Sequence, residues 1–260
     1  MSISPEYNSW LVDLQDNVLW VKLNRLEKKN AFNEDVIREY AAIFEKYSND
    51  SNVRVIVITT NSDSIFCAGA DIPWFISITP EKATEISVYA HHLFDAMERC
   101  PIPIVSVVKG MNLTAGFELV LATDMIIAAD NAKFGLIENQ HGLTPGWGGT
   151  QRLTRIVGPM KAKEIIFSAK IIGAEEALRI GLVNQVYPLA DIDGAMNKFL
   201  TNIKRSSGRA IKEAKMLINQ ATYINWEGFH LESKVFGENF AIGEPQKRLQ
   251  KFIESSGKIQ

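Results

Sequence analysis

The chain has 260 residues, 46% of them apolar and 22% charged, with a formal net charge of −2, the balance of an ordinary globular protein large enough for one substantial core. That charge supplies no general attraction to nucleic acid, and the two cysteines, Cys67 and Cys100, make neither a disulfide framework nor a metal-ligand spacing. Met1 to Trp10 lacks the apolar core of a signal peptide and no apolar run is long enough to span a bilayer, so the sequence reads as a soluble protein of a reduced, cytoplasmic compartment.

The first strand expected is Val18–Asn24, β-branched and apolar, bounded by Asp16-Asn17 and Asn24-Arg25. A charged loop runs from Arg25 to Asn30. Asn33 then caps a helix whose apolar residues Val36, Ile37, Tyr40, Ala41 and Phe44 recur at helical spacing to about Tyr47. Val53–Thr59 is a near-continuous β-branched run, the pattern of a strand buried on both faces. A loop from Thr60 to Ile72 follows, and Pro80 and Glu81 open a helix through Met97.

Pro101 and Pro103 stop that helix before the strand Ile104–Val108, which leads into Gly110 and a Thr114-Ala115-Gly116 turn. Leu119 to Ala122 reads as a short helix and Asp124–Ala128 as a strand, giving three strand-then-helix units before residue 125 and predicting an α/β core of repeated units. Beyond Gly149 the pattern turns helical, over residues 151–157, 159–168, 174–180, 192–204, 209–221 and 226–242, with one strand at Leu182–Val186. The expected organisation is a core over residues 1–195 and a helical region over residues 196–260.

Two small-residue loops carry possible chemistry, Ala68-Gly69-Ala70-Asp71 and Thr114-Ala115-Gly116. Small side chains let a ligand approach the backbone, and two N–H groups converging on one carbonyl oxygen make an oxyanion hole; tight turns and nothing more is the plainer reading. Glu118, three residues beyond Ala115, suits helix capping as well as catalysis. Glu138 follows the strand-like Phe134–Ile137. With apolar sequence around both, the two carboxylates suit an acid–base pair with separated pKa values. Gly-x-Ser-x-Gly, a Walker loop and Gly-x-Gly-x-x-Gly after a strand are all missing. His91 and His92 read as surface or packing residues, and His141, three residues past Glu138, as structural ahead of a place in the pocket lining.

These segments together resemble the enoyl-CoA hydratase/isomerase (crotonase) family, in its order and spacing. The matching stretches are Arg25–Ala31, Phe66–Asp71, Gly110–Leu119, Phe134–Glu138, Pro145–Leu153 and Gly173–Asn184. The resemblance implies an α/β spiral of ββα units with a C-terminal helical region that trimerises, as a homotrimer or a dimer of trimers. It also implies an acyl-CoA thioester substrate, with no metal and no cofactor beyond the CoA that the substrate carries. By the same resemblance, Ala70 and Ala115 supply the N–H groups of the oxyanion hole, Glu118 activates water, and Glu138 handles the α proton. Substrate and CoA contacts fall at Lys28, Lys29, Ala31, Ala68, Asp71, Ile72, Thr114 and Pro145, with Lys247, Lys251 or Lys258 as further phosphate partners.

The implied activity is reversible hydration of a 2-enoyl-CoA. Other enolate chemistry on the same fold (3,2-isomerisation, dehydration of a hydroxyacyl-CoA, decarboxylation) is the alternative, ahead of an RNA-binding or inactive relative. The sequence departs from the family at Leu26 and Ile137, usually proline, at Lys109, usually asparagine, at Pro73, often lysine, and at Phe117, commonly small. Thr114-Ala115 stands where two glycines are usual, which predicts a narrower or differently lined pocket.

Overall fold

In the structure, a computed structural model, residues 7–75 and 77–221 are described. The helix expected at 226–242 and the lysines at 247, 251 and 258 lie outside them. The chain forms two compact units, Met1–Arg205 and Ser206–Gln260. The described part of the second is one helix, Gly208–Gln220, whose first turn is capped by Ser207 Oγ.

The first unit is built on two sheets. The larger takes β1 (Trp10–Gln15), β2 (Val18–Leu23), β3 (Val55–Thr60), β5 (Ile104–Val108), β7 (Met125–Ala129) and β10 (Gln185–Tyr187), adjacent in that order. The smaller takes β4 (Ile65–Cys67), β6 (Met111–Leu113), β8 (Lys133–Gly135) and β9 (Ile172–Gly173). From β3 onward the chain therefore lays one strand in the large sheet, the next in the small sheet, and then a helix, three times over. This is the ββα spiral the resemblance implies.

The helices are α1 (Glu34–Tyr47), α2 (Ile72–Phe75), α3 (Pro80–Arg99), α4 (Ala115–Leu121), α5 (Gly149–Val157), α6 (Pro159–Phe167), α7 (Ala174–Arg179) and α8 (Ile192–Arg205). Caps set two of the longer ones where the sequence placed them: Asn33 accepts from Val36 N–H, and Thr79 from Lys82 N–H just before Pro80.

Burial on both faces of the large-sheet strands explains why β3, β5 and β7 are apolar but for Thr59, Thr60 and Ser106, which are themselves buried. Ile56, Ile58, Ile104, Val108, Ile126 and Ala128 face the main core with α1 and α3. Val55, Val57, Val105, Val107, Ile127 and Ala129 face a second layer containing Ile192, Met196 and Leu200 of α8. Central parallel pairing, with Ile56 opposite Ile104 and Val105 opposite Met125, holds the register.

The short strands β4, β6 and β9 and the helix α2 fall in segments the sequence reading left as loop, and three further elements differ from it. β1 joins β2 through Asp16 and Asn17, both at positive φ (49° and 65°), in a two-residue hairpin suited to the strand twist. The last strand begins at Gln185 rather than Leu182. Leu182 and Val183 are apolar because they are buried in the turn after α7, where both amides donate to Ala177 O. α4 begins at Ala115 rather than Leu119, since the small residues read as a turn are its first turn.

The corners where the chain crosses from the large sheet to the small one are tied together. Asn131 accepts from Gly110 N–H (3.1 Å) and donates to Asp63 O (2.7 Å). Met111 N–H donates to Ser64 O, Lys133 N–H donates to Gly110 O, and Lys109 pairs with Asp63 at 2.6 Å.

Candidate active site

The small sheet decides which residues meet. β4, β6 and β8 run parallel, with Cys67 opposite Asn112, Asn112 opposite Phe134, and Leu113 opposite Gly135. Their C-terminal ends therefore lie side by side, and the chain leaves them as Ala68-Gly69-Ala70, as Thr114-Ala115 and as Leu136-Ile137-Glu138. Three segments distant in sequence thus emerge at one edge, the usual place for a site on parallel strands.

The first segment is fastened to the loop before α1. Lys29 and Asn30 take left-handed φ (52° and 56°), and buried Asn30 donates through Nδ2 to Thr60 Oγ1 (2.8 Å) and Phe66 O (2.9 Å). Ala68 N–H donates to Lys29 O, Phe32 N–H to Gly69 O and Asp71 N–H to Phe32 O. Arg25 Nη1 then donates to Asp71 (2.7 Å) and to Ala31 O (3.0 Å). Asp71 is therefore occupied by Arg25, while Lys28 and Lys29 stand exposed on the same loop and Ile72 is 61% exposed. Cys67 lies beneath, its thiol pushed up to about 12 by burial, and accepts from Gly69 N–H; it is no nucleophile at neutral pH.

Among the described residues, Ala70 N–H and Ala115 N–H donate to no protein acceptor. Ala115 is the first residue of α4, where an N–H has no partner within the helix. Both are donors of the kind an incoming oxygen satisfies.

Glu118 lies one turn further along α4 and is 3% exposed. Its Oε1 accepts from Trp147 N–H (2.8 Å) and Gly149 N–H (2.9 Å), so the Pro145–Gly149 loop folds over it, with Pro145 itself buried. A side chain at 149 has no room: a Cβ there lies 2.9 Å from Leu136 Cδ1 and 3.0 Å from Glu118 Oε1. Burial pushes Glu118 up to about 6, against the two amides and the nearby Arg152 charge, which pull it down. Arg152, itself buried, is held by Glu98 at 3.0 Å and donates to Trp147 O at 3.3 Å.

Glu138 opens a short 3-10 turn, Glu138–His141. The residue is half-buried, yet both carboxylate oxygens are out of solvent and lack a hydrogen-bond partner on any other residue, its own backbone N–H alone pulling the pKa down. Burial, then the Glu118 charge, pushes it up to about 7. Two raised carboxylates, one of which feels the charge of the other, with neither in a salt bridge, suit proton transfer near neutrality. His141 is exposed. His91 lies on α3 beside Gly148, its pKa lowered by desolvation.

The sequence reading brought Glu118, Glu138, Ala70, Ala115, Ala68 and Thr114 to this edge, and missed Trp147, Gly149 and Arg152, which set the Glu118 environment. Their only sequence signal is the glycine run inside Pro145–Gln151. Two cavities of about 320 and 200 Å3 lie elsewhere, both lined by Trp20, Lys22 and Asp193, and reach neither glutamate. Among the described residues no helix is long and apolar enough to cross a membrane, and no group of three or more His, Cys, Asp or Glu is placed to hold a metal ion.

Comparison with known proteins agrees over nearly the whole length. The family model described as enoyl-CoA hydratase/isomerase matches residues 13–258. The chain is 33% identical to a short-chain-enoyl-CoA hydratase of Clostridium acetobutylicum, over 96% of each chain. It is 32% identical to a crotonyl-CoA hydratase of Syntrophomonas wolfei, over 95% of this chain and 96% of the other. Among solved structures, an enoyl-CoA hydratase from Bacillus anthracis superposes with a TM-score of 0.90 at 29% identity, covering 95% of this chain and 97% of that one.

Proposed function

The chain belongs to the enoyl-CoA hydratase/isomerase family, and on that premise we propose that it catalyses the reversible addition of water to the 2,3 double bond of an enoyl-CoA thioester. The observation that carries this reading is the buried carboxylate Glu118, raised to about 6, and Glu138, raised to about 7 by burial and by the Glu118 charge, on segments that leave the small sheet beside two unpaired amides.

The thioester oxygen accepts from Ala70 N–H and Ala115 N–H. Glu118, ionised at neutral pH, takes a proton from water as the water oxygen bonds to C3. The π electrons of the C2–C3 bond move into the thioester, and the enolate oxygen is stabilised by the two amides. Glu138, partly protonated near pH 7, delivers its proton to C2, and the charge returns to the thioester carbonyl. Passing the proton from Glu118 back to Glu138 restores both groups, so one water is consumed and no other reactant is needed. Desolvation makes this division of labour workable, because at its ordinary value Glu138 would carry almost no proton at pH 7.

Lys28 and Lys29, exposed beside the Ala68–Asp71 segment, serve the CoA phosphates. The same family reading carries three further proposals: a homotrimer or dimer of trimers built through residues 196–260, a cytoplasmic setting, and no cofactor beyond the CoA of the substrate. Sedimentation tests the first of these.

The decisive experiment follows loss of thioester conjugation absorbance across a chain-length panel of 2-enoyl-CoAs, paired with α-proton exchange in deuterated water. Glu118→Gln is expected to stop hydration while exchange persists through Glu138. Full hydration by that variant, or no hydration of any panel member by the native chain, refutes the proposal; 3,2-isomerisation in its place assigns the other branch of the family.

A further inference from the structure

The residue between the two unpaired amides is unusual in both backbone and side chain. Thr114 has φ 46° and ψ −118°, a conformation that glycine adopts freely and a β-branched residue does not. Its backbone is fully used, the N–H donating to Gly135 O (2.9 Å) and the carbonyl accepting from Glu118 N–H (2.8 Å). Its hydroxyl is not: Oγ1 is out of solvent and has no hydrogen-bond partner.

The position of that oxygen is specific. A Cβ placed on Gly69 would lie 2.2 Å from Thr114 Oγ1, so the hydroxyl presses on the residue directly before Ala70. Thr114 is also the residue directly before Ala115. One orphaned hydroxyl thus belongs to the residue before one of these amides and packs against the residue before the other, and the glycine at 69, at φ +111°, leaves the space it fills. A buried polar atom without a partner is unfavourable, and so is a β-branched residue at this φ; the two coincide at the residue that precedes Ala115.

We propose that Thr114 is a catalytic residue whose hydroxyl donates a third hydrogen bond to the thioester oxygen as it becomes an enolate. The inference rests on the hydration reading above. The hydroxyl is shielded from solvent, and reaching the substrate takes a turn about the Thr114 Cα–Cβ bond between staggered positions. An oxygen held by Ala70 and Ala115 then meets this donor as well, which matters most when the negative charge on it is greatest.

The test compares Thr114→Val, Thr114→Ser and Thr114→Gly with the native chain. Valine keeps the branched shape and removes the donor, serine keeps the donor, and glycine removes both donor and strain. Loss of the hydroxyl is expected to lower kcat at least ~10-fold with KM within about twofold, in valine and glycine alike, while serine stays near native. The carbonyl stretch of a bound, unreactive acyl-CoA is expected to move towards its free value in the valine and glycine variants only, a signature that packing alone would not move. Native kcat and native carbonyl stretch in either variant overturn the inference and leave the hydration reading standing. A native chain that hydrates no enoyl-CoA overturns both.

Discussion

Replacing Gly149 by alanine isolates one term in the environment of Glu118. The backbone tolerates the change, since φ at 149 lies outside the left-handed region; space does not, because the new Cβ stands 2.9 Å from Leu136 Cδ1, 3.0 Å from Glu118 Oε1 and 3.1 Å from Glu118 Cγ. Both neighbours are buried, so Glu118 or the loop must move, and the 2.9 Å bond from Gly149 N–H to Oε1 lengthens or breaks. A hydrogen bond to a charged group contributes roughly 1.5–3 kcal/mol and one pKa unit is about 1.4 kcal/mol, so losing this one raises Glu118 by about 1–2 units.

Starting from about 6, the carboxyl then titrates at about 7–8, and its ionised fraction at pH 7 falls from about 90% to between about 10% and 50%. The assay is the pH dependence of kcat/KM for enoyl-CoA hydration. Its acid limb is expected to move up by those 1–2 units, with overpacking lowering stability by about 1–3 kcal/mol in urea. An acid limb that stays in place while the protein loses stability would show that the amides on Glu118 do not set its proton affinity.

Four further outcomes follow from the same geometry. Glu118→Ala leaves Trp147 N–H and Gly149 N–H without an acceptor and is expected to cost about 2–5 kcal/mol in urea unfolding, whereas Glu118→Gln keeps an oxygen there and stays close to native. Glu118 and Glu138 are both raised above their ordinary 4.5, so their contribution to stability is fully present below that value and is lost as pH rises through about 6 and about 7; a Glu118→Gln, Glu138→Gln double variant should lack this decline in Tm. Arg25→Ala leaves Asp71 charged and mostly buried, without its 2.7 Å partner, and is expected to cost about 3 kcal/mol or more, read by denaturation. Reversing charge at Lys28 and Lys29 should raise KM for an enoyl-CoA and leave kcat near native, with no effect on a truncated thioester that lacks the phosphates.

The large sheet was legible because β3, β5 and β7 are covered on both sides, and an uninterrupted run such as Val55–Thr60 has few other uses. The small sheet was not: β4 and β6 are three residues each, too short for any period to show, and they passed as parts of loops. Yet it is this sheet that brings Ala70, Ala115 and Glu138 to one edge. Both glutamates could be singled out by residue type and by the resemblance. The backbone groups that tune Glu118 could not, because Trp147 and Gly149 act through N–H across 29 and 31 residues of sequence, and the glycine at 149 signals a tight fit without naming what it fits against. Leu182 and Val183 misled for a related reason, since burial in a turn and burial in a strand call for the same side chains.

The stitching of the far corners by Asn131 has an evolutionary reading. The segments proposed to bind and react leave one end of the small sheet, while Asp63, Gly110 and Asn131 lock the other end. Because strand order is secured away from the chemistry, residues at the reactive end can change identity without rewriting the frame that aims them. Thr114-Ala115, in place of two glycines, is a change of this kind, and the hydroxyl it brings is the donor proposed above. The converse is a liability at a distance: a deletion near Asn131, touching no substrate, would shift β6 against β4 and β8 and disturb all three reactive segments together.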